Sequence, residues 1–216
     1  MPKVIMGVAR FNNETWEENK NWRIKNNFTG CIYGVDKEMP SKVAYGSNVF
    51  VFEMNNSTNQ IMGVGVVQNI YRSEYRRKIY ENDNYNRYIY KGTKYKSREE
   101  LLNLNTELIE NVEKILFTGS RHFKRGHGIT IIPPERFGTE YKEKQRKKTQ
   151  CGRCGQLGHN ARSCTSKVRV LCKNKESCKK KCKYCGKLDK GHICPRFKVN
   201  YSKIREVILF LNNLFN

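Results

Sequence analysis

The sequence predicts an α+β protein: an N-terminal barrel-like mixed sheet covered by one long helix, then a small cysteine-rich module and a terminal helix. Three observations predict it. Short runs rich in Val, Ile, Phe and Tyr, separated by Gly, Asn and Ser, recur up to about residue 138. One long segment near residue 100 carries apolar residues at helical spacing. Eight of the nine cysteines fall between Cys151 and Cys194.

Taken in order, "KVIMGVAR", "GCIYGV", "NVFVFEM", "QIMGVGVVQNI" and "NRYIYKG" read as strands, because β-branched and aromatic side chains suit a pleated, half-buried surface. Between the first two lies "NNETWEENKNWRIKNN", a polar stretch that fits neither a strand nor a core helix. "SREELLNLNTELIENVEKILF" opens on Ser97 with Glu100 three residues later, a capping box. Leu101, Leu104, Leu108, Val112 and Ile115 then fall on one helical face, and Gly119 supplies the stop. "GHGITIIPPERF" reads as a last strand ended by Pro133-Pro134. These elements form a first domain over residues 1–140. Residues 141–150, "YKEKQRKKTQ", form a basic linker, residues 151–200 the cysteine-rich module, and residues 201–216 an amphipathic helix. The apolar face of that helix, Ile204, Val207, Ile208, Leu211 and Leu214, is too wide to be left in water. It either folds back on its own chain or docks a protein partner.

Charge divides the chain in the same way. Of 42 Lys+Arg and 20 Asp+Glu, residues 141–216 hold 21 basic and 4 acidic side chains, a net of +17 out of +22. So basic a tail calls for a polyanion, and nucleic acid is the commonest. There is no apolar run of the roughly 20 residues that would span a bilayer, and no cleavable signal sequence at the start. The expectation is a soluble protein of a reducing, intracellular compartment, cytoplasmic rather than nuclear. In that setting clustered Cys with interspersed His reads as zinc rather than disulfide. Neither G-x-G-x-x-G nor G-x-x-x-x-G-K-[ST] occurs, and the deaminase His-x-Glu signature is missing. A binding protein is expected rather than an enzyme, and no catalytic residue is assigned.

Cys151, Cys154, His159 and Cys164 follow C-x2-C-x4-H-x4-C. Four such ligands in fourteen residues suit a closed tetrahedral site, whose metal supplies the folding energy that no core can. The spacing, with Gly155 and Gly158, resembles the zinc knuckle (CCHC) family of retroviral nucleocapsids and cellular RNA-binding proteins. That resemblance implies contact with single-stranded nucleic acid. Gly152 stands where such knuckles usually carry a stacking aromatic, which implies a supporting role, with Arg153 and Arg162 left for phosphate. A second zinc is expected on Cys182, Cys185, His192 and Cys194, with Cys172 and Cys178 as alternates; six candidates compete for four places.

The strand order, "IMGVGVVQNIYRSEY", the Tyr-rich strand, the long helix and the closing "HFKRGHGITIIP" resemble the PUA-like superfamily, in its EVE, ASCH and YTH branches. The resemblance implies a barrel-like domain that takes one flipped or modified base between aromatic walls. Trp16 and Trp22 are candidate walls, and Glu14, Glu17 or Glu18 a candidate acid for the base edge of a cationic ligand such as an mRNA cap. Tyr71 and Tyr75, interleaved with Arg72, Arg76 and Arg77, suit stacking and phosphate pairing together. In "RHFKRGHG", Arg121, Lys124 and Arg125 are candidate phosphate contacts, with Gly126 and Gly128 allowing close backbone approach. A rival reading makes His122 and His127 the acid and base of a ribonuclease, although no carboxylate accompanies them in sequence. The heavy use of Asn, Lys, Ile and Tyr resembles proteins of AT-rich genomes, including giant DNA viruses of protists.

Overall fold

The computed structural model describes residues 4–71, 78–138 and 200–215. The chain divides into two units: Met1–Thr139 with Val199–Asn216, and Glu140–Lys198. The first unit is built from strands β1 (Ile5–Phe11), β2 (Cys31–Val35), β3 (Asn48–Asn55), β4 (Gln60–Gln68), β5 (Tyr88–Gly92), β6 (Lys94–Ser97) and β7 (Thr130–Ile132). Its helices are α1 (Asn13–Lys25), α2 (Arg98–Phe117) and α3 (Tyr201–Asn213).

Five strands form one mixed sheet in the order β6-β4-β3-β1-β7, and β2 and β5 pair antiparallel as a separate two-stranded sheet. The expected barrel is therefore corrected. Among the described residues the larger sheet stays open, with β6 and β7 as its edges. β1 and β3 run parallel, which requires a crossover, and the segment containing α1 and β2 provides it.

Alternation along the strands sorts two cores onto the two faces of this sheet. On one face Met6, Val8, Phe52, Met54, Ile61 and Val64 pack with Leu101, Leu108, Ile109, Val112 and Leu116 of α2. Ile204, Val207 and Leu211 of α3 are buried in the same cluster, with Leu214 just beyond the helix. The terminal helix thus folds back on its own chain, and the face offered above to a protein partner is already covered. It belongs with residues 1–139 rather than forming a separate end piece, and Asn200 N–H donates to Gly138 O at 2.8 Å beside its start.

The α2 capping box forms as expected: Ser97 Oγ accepts from Glu100 N, and Glu100 Oε2 accepts from Ser97 N. Its apolar face departs from the expected one at a kink. Asn105 leaves helical geometry (φ −164°, ψ 89°), and its Oδ1 caps a fresh turn by accepting from Leu108 N at 2.9 Å. The helix resumes with a new phase, so Leu104 points to solvent, 60% exposed. Gly119, at φ 78°, follows the C-cap.

The other face carries Ala9, Phe11, Val49, Val51 and Val67 against β2 and β5. Here the polar stretch 12–27, expected to be neither strand nor core helix, forms helix α1 over most of its length. Asn12 caps it reciprocally with Thr15. Its inward residues are Trp16, Asn19, Trp22 and Arg23, spaced as a helix face but too polar to show amphipathicity. Among the described residues no helix is long and apolar enough to cross a membrane.

Candidate functional site

The floor beneath α1 is unusually polar for a core. Glu53, on β3 beside a bulge, is fully buried. Arg23 of α1 reaches it with Nη1 3.8 Å from Oε1, a charge contact longer than a hydrogen bond, and Tyr95 OH donates to Oε2 at 3.1 Å. The Arg23 guanidinium lies over the rings of Trp16 (5.2 Å) and Tyr95 (4.6 Å), a desolvated cation–π stack. Burial pushes the Glu53 carboxyl above its ordinary range, opposed by Arg23. Burial, then Glu53, pushes the Cys31 thiol up to about 12, so this cysteine is an inert core thiol. Tyr33 OH lies near enough for Glu53 to feel it, yet neither it nor Glu53 Oε1 reaches hydrogen-bond geometry. Gly65 makes room for this layer: a Cβ there would collide with Cys31 Sγ and Tyr33 OH.

Beside this network opens a cleft of about 750 Å³. It is lined from the end of β1 (Arg10, Phe11), the first turns of α1 (Glu14, Thr15, Glu18) and the end of β2 (Tyr33, Asp36). Asn56, the 80–85 segment and the 124–128 loop complete it. Asn19 holds one wall in place by donating to Ile32 O (2.8 Å) and Tyr80 OH (2.9 Å). Glu18 Oε1 accepts from Glu81 N at 3.1 Å, and the rings of Tyr80 and Tyr85 meet edge to face at 6.1 Å.

The glycine-rich loop is fixed from two directions. Arg10 donates from Nε to Phe123 O, from Nη1 to Gly128 O at 3.3 Å and from Nη2 to Thr130 Oγ1 at 2.9 Å. Asp36 takes His127 Nδ1 at 2.8 Å and Gly128 N–H at 3.1 Å on its two oxygens. Gly126 and Gly128 both have positive φ, which lets the loop turn against Arg10. Asn56 Nδ2 donates to Lys124 O at 3.1 Å, so Lys124 stands at the same rim.

The candidates from sequence fall in five groups. Lys124, Glu14 and Glu18 line the cleft, together with Tyr85. Trp16 and Trp22 do not: both are half-buried in the core beneath α1, Trp16 edge-on to Phe11 (5.4 Å) and Trp22 edge-on to Phe28 (6.3 Å). Arg121 and Arg125 are exposed on the loop, outside the cleft lining, as is Glu17 on α1. Tyr71 sits elsewhere, edge-on to Tyr88 at 5.1 Å, its hydroxyl pushed up by a hydrogen bond with Glu38. Arg72, Tyr75, Arg76, Arg77, Arg153, Arg162 and every proposed zinc ligand lie outside the described residues. Among the described residues no group of three or more His, Cys, Asp or Glu is placed to hold a metal ion.

His122 and His127 are not paired. His127 lines the cleft, whereas His122 Nδ1 accepts from Lys124 N at 3.1 Å and does not. The carboxylate missing from the local sequence is Asp36, ninety-one residues away. Arg10, Asp36 and Asn56 escaped the sequence reading. The one signal available for Arg10 was a lone charge inside the apolar strand "IMGVARF".

No family model, curated protein or solved structure matches this chain.

Proposed function

We propose that this chain is a zinc-containing nucleic-acid-binding protein whose first unit reads a modified nucleotide of RNA, a methylated base or an mRNA cap, and whose basic tail grips the flanking phosphates. The observation that carries this reading is the cleft. Its volume lies in the range of small-ligand sites, and Glu14, Glu18, Tyr80 and Tyr85 meet in its lining. Carboxylates and aromatic rings together suit a base with a positive or proton-donating edge. The tail adds the electrostatic part: a net charge of +17 over residues 141–216.

Three thiolates and an imidazole at Cys151, Cys154, Cys164 and His159 form a donor set suited to a closed zinc site. Cys182, Cys185, His192 and Cys194, with Cys172 and Cys178 as alternates, would supply a second. Thiolate ligation of this kind fits a reducing compartment, the cytoplasm of a cell, infected or not.

The test is a binding panel on the full chain, with and without a strong chelator. Capped, methylated and plain oligonucleotides of one sequence are compared at several salt concentrations, and bound metal is counted. The reading expects discrimination between ligands that survives chelation, and an overall affinity that falls with salt and with metal removal. Equal affinity for all ligands, or a preparation without zinc whose affinity ignores the chelator, refutes it. A truncation at residue 140 is the wrong reagent, because it deletes α3 from the core.

One observation favours a second reading, RNA cleavage: Asp36 orients the ring of His127, whose side chain is 67% exposed at the cleft. RNA cleavage by the purified chain that disappears in His127→Ala would support it.

A further inference from the structure

The geometry points to a phosphate subsite within the cleft, formed by the Arg10 guanidinium and the Lys124 ammonium, so that the ligand is a phosphorylated nucleotide and not a bare base or nucleoside. This rests on the nucleotide-reader proposal and fixes which part of the nucleotide lies where.

Arg10 is a half-buried cation at the end of an otherwise apolar strand, and all three of its hydrogen-bond acceptors are neutral oxygens. Among the described residues no carboxylate pairs with it. Burial lowers its pKa, and no nearby carboxylate opposes that shift. A guanidinium in partial desolvation without a counter-charge is costly, and an anion entering the cleft would relieve it. Lys124 lines the same cleft and likewise has a neutral partner, its Nζ donating to Asn59 Oδ1 at 2.7 Å in a solvent-exposed contact.

Four acids also line the cleft, Glu14, Glu18, Asp36 and Glu81, and among the described residues none forms an ion pair with Arg10 or Lys124. Asp36 is engaged by His127 and the Gly128 amide, and Glu18 by the Glu81 amide. Cations and carboxylates therefore share one cleft without pairing across it, an arrangement suited to a ligand that carries both an anionic group and a hydrogen-bonding base. Three of the five guanidinium N–H groups of Arg10 are spoken for. The remainder, with the two ammonium donors that Lys124 does not give to Asn59, match the oxygens of a phosphate.

The experiment is calorimetric titration of the full chain with guanosine, 7-methylguanosine, adenosine, cytidine and uridine, each with and without a 5′-monophosphate. For whichever base binds, the monophosphate should exceed its nucleoside by roughly tenfold or more, as charge-assisted hydrogen bonds imply. Lys124→Gln should collapse that ratio toward one. Arg10→Lys should lower it as well, and where this variant loses its fold Lys124→Gln alone decides. Lys114→Gln, which removes the same charge from an exposed site on α2, should leave the ratio intact. A wild-type ratio near one, or a ratio that survives Lys124→Gln, overturns the subsite, the second by locating phosphate binding elsewhere, such as the basic tail. Nucleoside binding without a phosphate advantage removes the subsite and spares the reader proposal. Failure of every nucleoside and nucleotide to bind removes both.

Discussion

The two faces of the five-stranded sheet are built on different chemistry. Behind it, α2 and α3 close an apolar core in which buried Leu, Ile, Val, Met and Phe meet one another. In front, α1 and the β2–β5 pair cover a layer where Glu53, Arg23 and Asn19 are buried among Tyr33, Tyr80 and Tyr95. Apolar burial is non-directional and tolerant, so the first face needs only the right side chains at the right spacing. The second must satisfy donors and acceptors one by one, and there the helix is oriented by specific partners. The cleft lies on this polar side. The lesson is that the stable half supports and the specified half presents.

The largest test of that contrast is Glu53→Ala. It leaves the Arg23 guanidinium buried without its carboxylate, and urea unfolding should show a loss of about 3–5 kcal/mol. A loss under about 1 kcal/mol would mean the network is not specified at all. pH sharpens the same point. The folded-state pKa of Glu53 is raised, so its contribution is fullest below the ordinary value of 4.5 and is lost as pH rises through the folded value. Glu53→Gln should remove that decline, measured as unfolding midpoints from pH 4 upward.

On the apolar side, Leu211→Ala on α3 should cost about 2–5 kcal/mol, since the side chain is fully buried. A negligible cost would detach the terminal helix from the core. Ser97→Ala should cost about 1 kcal/mol by removing one half of the capping box. The companion Glu100 carboxylate is held below its ordinary value, first by Lys96 and then by the Ser97 amide. Its contribution should be present above pH 4.5 and fade as pH falls through the lowered value, modestly because the group is solvated. Least of all, Leu104→Ala should cost under about 0.5 kcal/mol, because the kink at Asn105 has turned Leu104 outward. An unbroken helix would have made it a core mutation.

What the sequence revealed follows the same division. Six of the strands were legible because β-branched and aromatic runs mark them, and α2 and α3 because their buried residues are apolar. β6 was not, since "KYKS" is a polar edge strand with Tyr95 as its single inward anchor. α1 was not, because Asn19 and Arg23 face inward and erase the period. The Asn105 kink was hidden by a change of phase within a continuous apolar pattern. At the site, the two glycines and Lys124 could be picked out locally. Arg10, Asp36 and Asn56 could not, because the cleft is assembled from segments more than a hundred residues apart.

The bond between Gly138 and Asn200 gives the chain a clasp. The chain leaves the described core at Gly138 and rejoins it at Asn200, so the intervening residues, with 19 basic and 4 acidic side chains, form a circuit closed at both ends. A protease cut anywhere within that circuit should yield two fragments that still co-elute under native conditions and separate only in denaturant, because α3 stays seated in the core.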